Sequence, residues 1–215
     1  MRKIFIINGL PGSGKGTQAE RLANDLDLAH ISSGQLIRDV VNSGKKDAQT
    51  EEIRSRYNKG IVQPDAIVEI LVDEAVKALR PAQGIIFDSF PMSLDQAHFL
   101  EKLAEKYSFE LPVFIMLNVD PNEVVERISK RRICSKCGFP IIMDHETNSC
   151  PECGGELIQR TDDQPEIVKK RIEEYQPIIN SLRDYYHGRG RLLEINGSQP
   201  INDVYSEMLG RINGK

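Results

Sequence analysis

The chain has 215 residues, of which 28% are charged, and a formal net charge of −4. That length lets one domain with insertions bury a proper core, and the mild acidity argues against a polyanion-binding surface or a disordered tail. No apolar run is long enough to span a bilayer and the N-terminus lacks a signal-peptide layout, so the expectation is a cytoplasmic protein, monomeric by default, without nucleic-acid or membrane partners.

The first element is the most informative. Lys3-Ile4-Phe5-Ile6-Ile7-Asn8 is a short apolar run rich in β-branched residues, which reads as a strand buried on both faces. Gly9-Leu10-Pro11-Gly12-Ser13-Gly14-Lys15-Gly16-Thr17 follows, with glycines that let the backbone wrap tightly before a helix. Such a loop aims backbone N–H groups at one point, where a helix N-terminus adds partial positive charge. It suits the phosphates of a nucleotide, with Lys15 reaching the β- and γ-phosphates. A Gly-rich turn that binds nothing is the alternative. Gly16 stands where the usual phosphate-loop pattern has Ser or Thr, with Thr17 one residue later.

Thr17 to Leu26 reads as a helix with Ala19, Leu22, Ala23 and Leu26 on one face. Leu28 to Ile31 is a short strand, and Ser33 is placed to N-cap a helix through Val41. Residues 42–63 are polar and helical in pattern, which suits a small appendage. Pro64 opens a helix from Asp65 to Leu79, with Ile67, Ile70, Leu71, Ala75 and Leu79 as its apolar stripe. Gly84 to Asp88 is a second buried strand, Ser93 to Lys106 a helix, and Val113 to Val119 a third strand. Asp120-Pro121 starts a helix over Asn122 to Arg132. After a cysteine-rich segment comes a long polar helix, Gln164 to Tyr186, expected to kink at Pro177. A strand over Arg191 to Ile195 and a helix over Pro200 to Ile212 close the chain. Strands alternating with helices imply an α/β fold with a parallel sheet between two helical layers.

Asp88 ends a buried strand, at the sheet edge where ligands bind, and its carboxylate suits Mg2+ held through water. A cap or turn aspartate is the alternative. Arg127 and Arg131 share a helix face, Arg160 follows the cysteines, and Arg171 sits on the long helix. Singly, each is a solvated surface residue; beside a phosphate loop they are equipment for phosphoryl transfer. Cys134-x2-Cys137 and Cys150-x2-Cys153 form two knuckles, with Gly138 and Gly154 following each second cysteine. Four thiolates so spaced suit a structural Zn2+ site, with a redox pair as the rival and His145 a further ligand in principle.

With these motifs together, the chain resembles the adenylate kinases of the nucleoside monophosphate kinase family over essentially its whole length. The resemblance rests on residues 9–18, Ile31-Ser32-Ser33-Gly34 with Arg38, and Asp88-Ser89-Phe90-Pro91 with Gln96. It continues through Arg127, Arg131-Arg132, the knuckles, Arg160 with Asp162-Asp163, Lys170-Arg171 and Glu174-Tyr175. Gly16 before Thr17 is that family's own form of the loop. The resemblance implies a P-loop three-layer core (residues 1–31, 63–131 and 162–215), a helical insert for the acceptor nucleotide (32–62) and a zinc-bearing lid (132–161). On the donor side it implies Gly12, Ser13, Gly14, Lys15, Gly16, Thr17, Arg127 and Gln199 binding ATP. Arg131, Arg160 and Arg171 would clamp the phosphates in flight. On the acceptor side, Ser33 and Arg38 would meet the phosphate and Gln96 the base.

Three acceptor-side residues depart from the family pattern. Its Asp-Gly-Phe-Pro-Arg stretch reads Asp88-Ser89-Phe90-Pro91-Met92, and Gln63 replaces the usual valine. The lid is also about four residues shorter than in most zinc-bearing relatives. The implied reaction is ATP + AMP ⇌ 2 ADP with Mg2+. Another monophosphate (UMP, CMP or GMP) as acceptor, or a nucleotide-binding protein with weakened transfer, are the competing expectations.

Overall fold

The computed structural model describes residues 2–59, 61–80, 83–143, 149–160 and 163–214. Five strands, β1 (Ile4–Gly9), β2 (Leu28–Ser32), β3 (Gly84–Asp88), β4 (Val113–Asn118) and β8 (Leu192–Asn196), form one parallel sheet in the order β2-β3-β1-β4-β8. The run Ile4–Gly9 is buried throughout, as a central strand covered on both faces must be. Its side chains alternate between two cores. Ile4 and Ile6 join Phe87, Phe114 and Met116 under helices α4 (Asp65–Lys77), α5 (Leu94–Lys106), α6 (Pro121–Lys130) and α7 (Pro165–His187). Phe5 and Ile7 join Ile86, Ile115 and Leu117 under α1 (Lys15–Asp25) and α8 (Ile201–Ile212). This is the expected three-layer sandwich.

Two segments leave it. Between β2 and α4 the chain forms α2 (Ser33–Asn42) and α3 (Ala48–Asn58), the latter capped by Asp47, whose carboxylate accepts from Thr50 N at 2.9 Å. Between α6 and α7 it forms a three-stranded antiparallel sheet of β5 (Arg131–Cys134), β6 (Pro140–Ile142) and β7 (Leu157–Ile158), in the order β6-β5-β7.

Several local expectations are corrected. Ser33 is not the N-cap of α2: Ser32 holds that place without a side-chain cap bond, while Ser33 is the first helical residue. On α4 the core stripe is Val68, Val72 and Val76, and Ile70 is half exposed. Ala75 and Leu79 of the expected stripe pack against the same core, partly buried. Leu26 is the C-cap of α1 and is partly exposed. The expected long helix is α7, which stays helical across Pro177. Among the described residues no helix is long and apolar enough to cross a membrane.

Candidate active site

Parallel pairing brings the C-terminal ends of the strands to one edge, with Ile7 beside Asp88, Asp88 beside Ser32, and Asn118 beside Asn196. The cavity at this edge, about 1120 Å³, is lined by every nucleotide-site residue expected from the sequence. In the phosphate loop, Gly14 is the left-handed N-cap of α1, and Gly12 (φ 82°) packs so closely on α6 that a Cβ there would lie 2.6 Å from Ile128 Cγ1. Any side chain at position 12 would push the loop off α6. The hydroxyl of Ser13 is buried without a partner, an arrangement that fits a ligand group completing the loop. Lys15 Nζ is 3.4 Å from Leu10 O. Burial lowers the Lys15 pKa from 10.5 to about 8; Asp88 opposes that shift, while Arg171, Arg131 and Arg160 add to it. Three arginines converging on a partly buried lysine is a cluster that asks for an anion.

Asp88 is not a helix cap, since Ser93 caps α5 by accepting from Gln96 N. Its Oδ1 accepts from Ser89 Oγ at 3.0 Å, and its Oδ2 lies 3.3 Å from where a Cβ on Gly16 would sit, against the start of α1. His30 Nε2 is 4.0 Å from the same oxygen. Arg127 donates to Glu123 and, at 3.0 Å, to Gly197 O, so it is held across the β8–α8 turn. Gln199 donates to Asn196 O and Glu207 Oε2 on the same side. Arg131 forms a bidentate pair with Asp163, whose side chain is fully buried. Arg171 lies 5.7 Å from the Tyr175 ring centroid.

At the other end of the cavity, the Ser33 hydroxyl donates to Ser89 O at 2.7 Å and so ties α2 to the segment after β3. Ser89 has φ 59°, left-handed backbone uncommon for a residue with a Cβ, and the Phe90–Pro91 bond that follows is cis. Met92 N donates to Gln96 Oε1 at 2.7 Å, and Gln96 Nε2 donates to Asp65 Oδ1 at 2.7 Å. The amide of Gln96 is thus oriented by two partners, one of which, Asp65, sequence reasoning missed. Gln63 donates to Ile53 O at 3.0 Å, while its Oε1 is buried with no partner. Asn8, also missed, is buried at the end of β1; its Nδ2 donates to Pro91 O at 3.2 Å and lies 3.9 Å from Met92 Sδ. Its position directly before the loop was the one available signal.

The four cysteine sulfurs lie within 4.8 Å of one another. Cys134 and Cys153 are 3.4 Å apart, Cys137 and Cys150 3.7 Å. The Cys137 amide, with that of Lys136, pulls the Cys134 thiol down to about 6. At Cys153 the Gly155 amide favours the thiolate, but the neighbouring sulfurs Cys137 and Cys134 prevail and push it up to about 12. Four sulfurs so close cannot all ionise without a cation among them. Gly138 and Gly154 both have positive φ, as the knuckle turns require. Gly155 was missed: a Cβ there would lie 2.8 Å from Cys134 Sγ. His145 and Asp162 lie outside the described residues.

The adenylate kinase family profile matches residues 7–191. The chain is 38% identical to the adenylate kinase of Chlamydia abortus over 213 residues (97% of each chain) and 35% identical to that of Bacillus subtilis over 214 residues (98% of each). It is 34% identical to that of Petrotoga mobilis over 212 residues, covering 97% of this chain and 95% of the relative. This chain belongs to the adenylate kinase family. The phosphate loop, the arginines and the segments 33–38 and 88–96, far apart in sequence, share one cavity, and Gln63, Ser89 and Met92 line it with them.

Proposed function

We propose that this protein is a phosphotransferase moving the γ-phosphate of ATP to AMP, ATP + AMP ⇌ 2 ADP. The observation carrying this reading is the convergence of Lys15, Asp88, Arg131, Arg160 and Arg171 in one cavity with an acceptor end built on α2 and residues 88–96. A protein that only binds nucleotide has no need of arginines gathered where transferred charge develops.

ATP phosphates lie in the loop of Gly12, Ser13, Gly14, Lys15, Gly16 and Thr17, and the donor base lies against Arg127 and Gln199. Asp88, with Thr17, would hold Mg2+ through water, and the ion would supply charge neutralisation for the transferring phosphates. Arg131, Arg160 and Arg171 stabilise the phosphoryl group in transit. Ser33 and Arg38 receive the acceptor phosphate, and Gln96, fixed by Asp65 and Met92 N, faces the acceptor base with Gln63 and Ser89 beside it. Residues 32–62 act as the acceptor insert and 132–161 as a lid that closes over the donor and excludes water from the transfer. In the lid, Cys134, Cys137, Cys150 and Cys153 bind one Zn2+. A tetrahedral site with Zn–S of about 2.3 Å sets sulfurs about 3.8 Å apart, close to the separations in this cluster. The zinc stiffens the lid without joining the chemistry.

Met92 and Gln63 support a second reading, in which another monophosphate is the better acceptor. A thioether offers no charge to the phosphate, and an unpartnered amide oxygen asks for an N–H donor. Lys15→Ala tests the common core of both readings. It should abolish transfer while leaving the melting temperature near that of the parent, and near-normal turnover in that folded variant would refute the phosphate-loop assignment.

A further inference from the structure

We propose that Gln35 is a positioning residue that seats the Arg38 guanidinium for the acceptor phosphate. This rests on the reading of Arg38 given above. Arg38 lies on the second turn of α2, and its side chain folds back toward the helix start, as helical side chains lean. Its Nε and Nη2 both donate to Gln35 Oε1, at 3.2 and 2.8 Å. Gln35 Nε2 in turn donates to Asp39 Oδ1 at 2.7 Å. The second bond orients the amide, turning its oxygen to the arginine and its nitrogen to the carboxylate. Arg38 Nη1 lies 3.2 Å from where a Cβ on Gly34 would sit, so the guanidinium packs closely over that glycine.

A cation at a helix N-terminus faces the positive end of the helix dipole, an unfavourable place for it. The cost is recovered when an anion joins the same spot, met by the first-turn N–H groups and by the arginine. Ser33, Gly34 and Arg38 all line the cavity there. With the Nε edge held by Gln35, the Nη1–Nη2 edge is the one that meets the phosphate. The choice of a neutral amide also matters. A carboxylate at position 35 would hold the same edge but repel the acceptor phosphate. Because Met92 brings no second guanidinium, the aim of Arg38 decides more of the acceptor affinity.

The test is steady-state kinetics on Gln35→Ala, Gln35→Glu, Arg38→Ala and the Gln35→Ala/Arg38→Ala double variant, with AMP and ATP varied in turn. Gln35→Ala should raise acceptor KM about three- to fivefold, because the two bonds it removes share one acceptor and are exposed to solvent, with donor KM unchanged. Gln35→Glu should raise it further, and added salt should narrow the gap between the two variants. In the Arg38→Ala background, Gln35→Ala should have no further effect on acceptor KM. If Arg38→Ala raises acceptor KM while Gln35→Ala leaves it unchanged, the positioning role is wrong and the site reading stands. If Gln35→Ala raises both KM values together, its role is general structure and the proposal also fails. Should Arg38→Ala itself leave acceptor KM unchanged, the assignment of Arg38 is refuted, and the proposal with it.

Discussion

Lys15 and Met92 mark the two ends of the cavity, and each makes a prediction. With its pKa lowered to about 8, chiefly by burial, Lys15 is partly neutral in the free protein at mildly alkaline pH. An anionic phosphate favours the charged form, so nucleotide binding raises that pKa. Binding near and above pH 8 should therefore take up a proton, and affinity should fall as pH rises through 8. Calorimetry in two buffers of different ionisation enthalpy measures this: uptake approaching about one proton near pH 9 is expected, and close to none at pH 6.5. Zero uptake at pH 9 would contradict the buried, depressed lysine. At Met92, an arginine would offer the acceptor phosphate charge-assisted bonds of about 1.5–3 kcal/mol each, so Met92→Arg should lower acceptor KM at least about tenfold. An unchanged acceptor KM would mean that another residue already supplies that charge. Both residues were legible in the sequence, because a motif fixes what each position should carry. Asn8, Asp65 and Gln35 were not, because they act through a neighbour and carry no motif of their own.

At the scale of elements, β1, β3 and β4 were readable because a strand buried on both faces leaves an unbroken apolar run, such as Ile4 to Ile7. The α4 stripe was read in part: Ala75 and Leu79 do pack against the core, but neighbouring positions share the helical period and the deepest burial falls on Val68, Val72 and Val76. The strands β5, β6 and β7 were missed for another reason. They are two to four residues long, and their course is dictated by the cysteine knuckles more than by propensity. The knuckle region should accordingly depend on its metal and on Gly155. Gly155→Ala would set a methyl group 2.8 Å from Cys134 Sγ and 2.9 Å from Lys136 Cβ. Overpacking of that kind costs about 1–3 kcal/mol, so the variant should retain zinc less well and melt at a lower temperature. Purified parent protein should carry about one zinc per chain, and chelation should lower its melting temperature while the circular dichroism of the core persists. Reduced protein prepared without chelator and free of metal by elemental analysis would contradict the site.

In the whole molecule, the parallel sheet brings five strand ends to one edge, and the segments inserted after β2 and after α6 flank the cavity that this edge opens. The residues lining it are sequence-distant and structurally adjacent for this reason, and a hydrogen bond from Asn8 to Pro91 O links the end of β1 to the segment after β3. On the proposed function, the loop, Asp88 and the arginines carry what the donor end needs, and the three residues that depart from expectation, Gln63, Ser89 and Met92, fall at the acceptor end. The account therefore predicts an intact transfer machine with a weakened grip on its acceptor. A coupled assay of ADP formation from ATP, run over AMP, CMP, UMP and GMP at increasing concentration, measures that directly. The expected result is transfer to AMP exceeding that to the other three, with an acceptor KM well above the donor KM. Saturation by one of the other monophosphates at concentrations where AMP is inert would contradict the assignment of AMP, and no transfer to any of them would contradict the account as a whole.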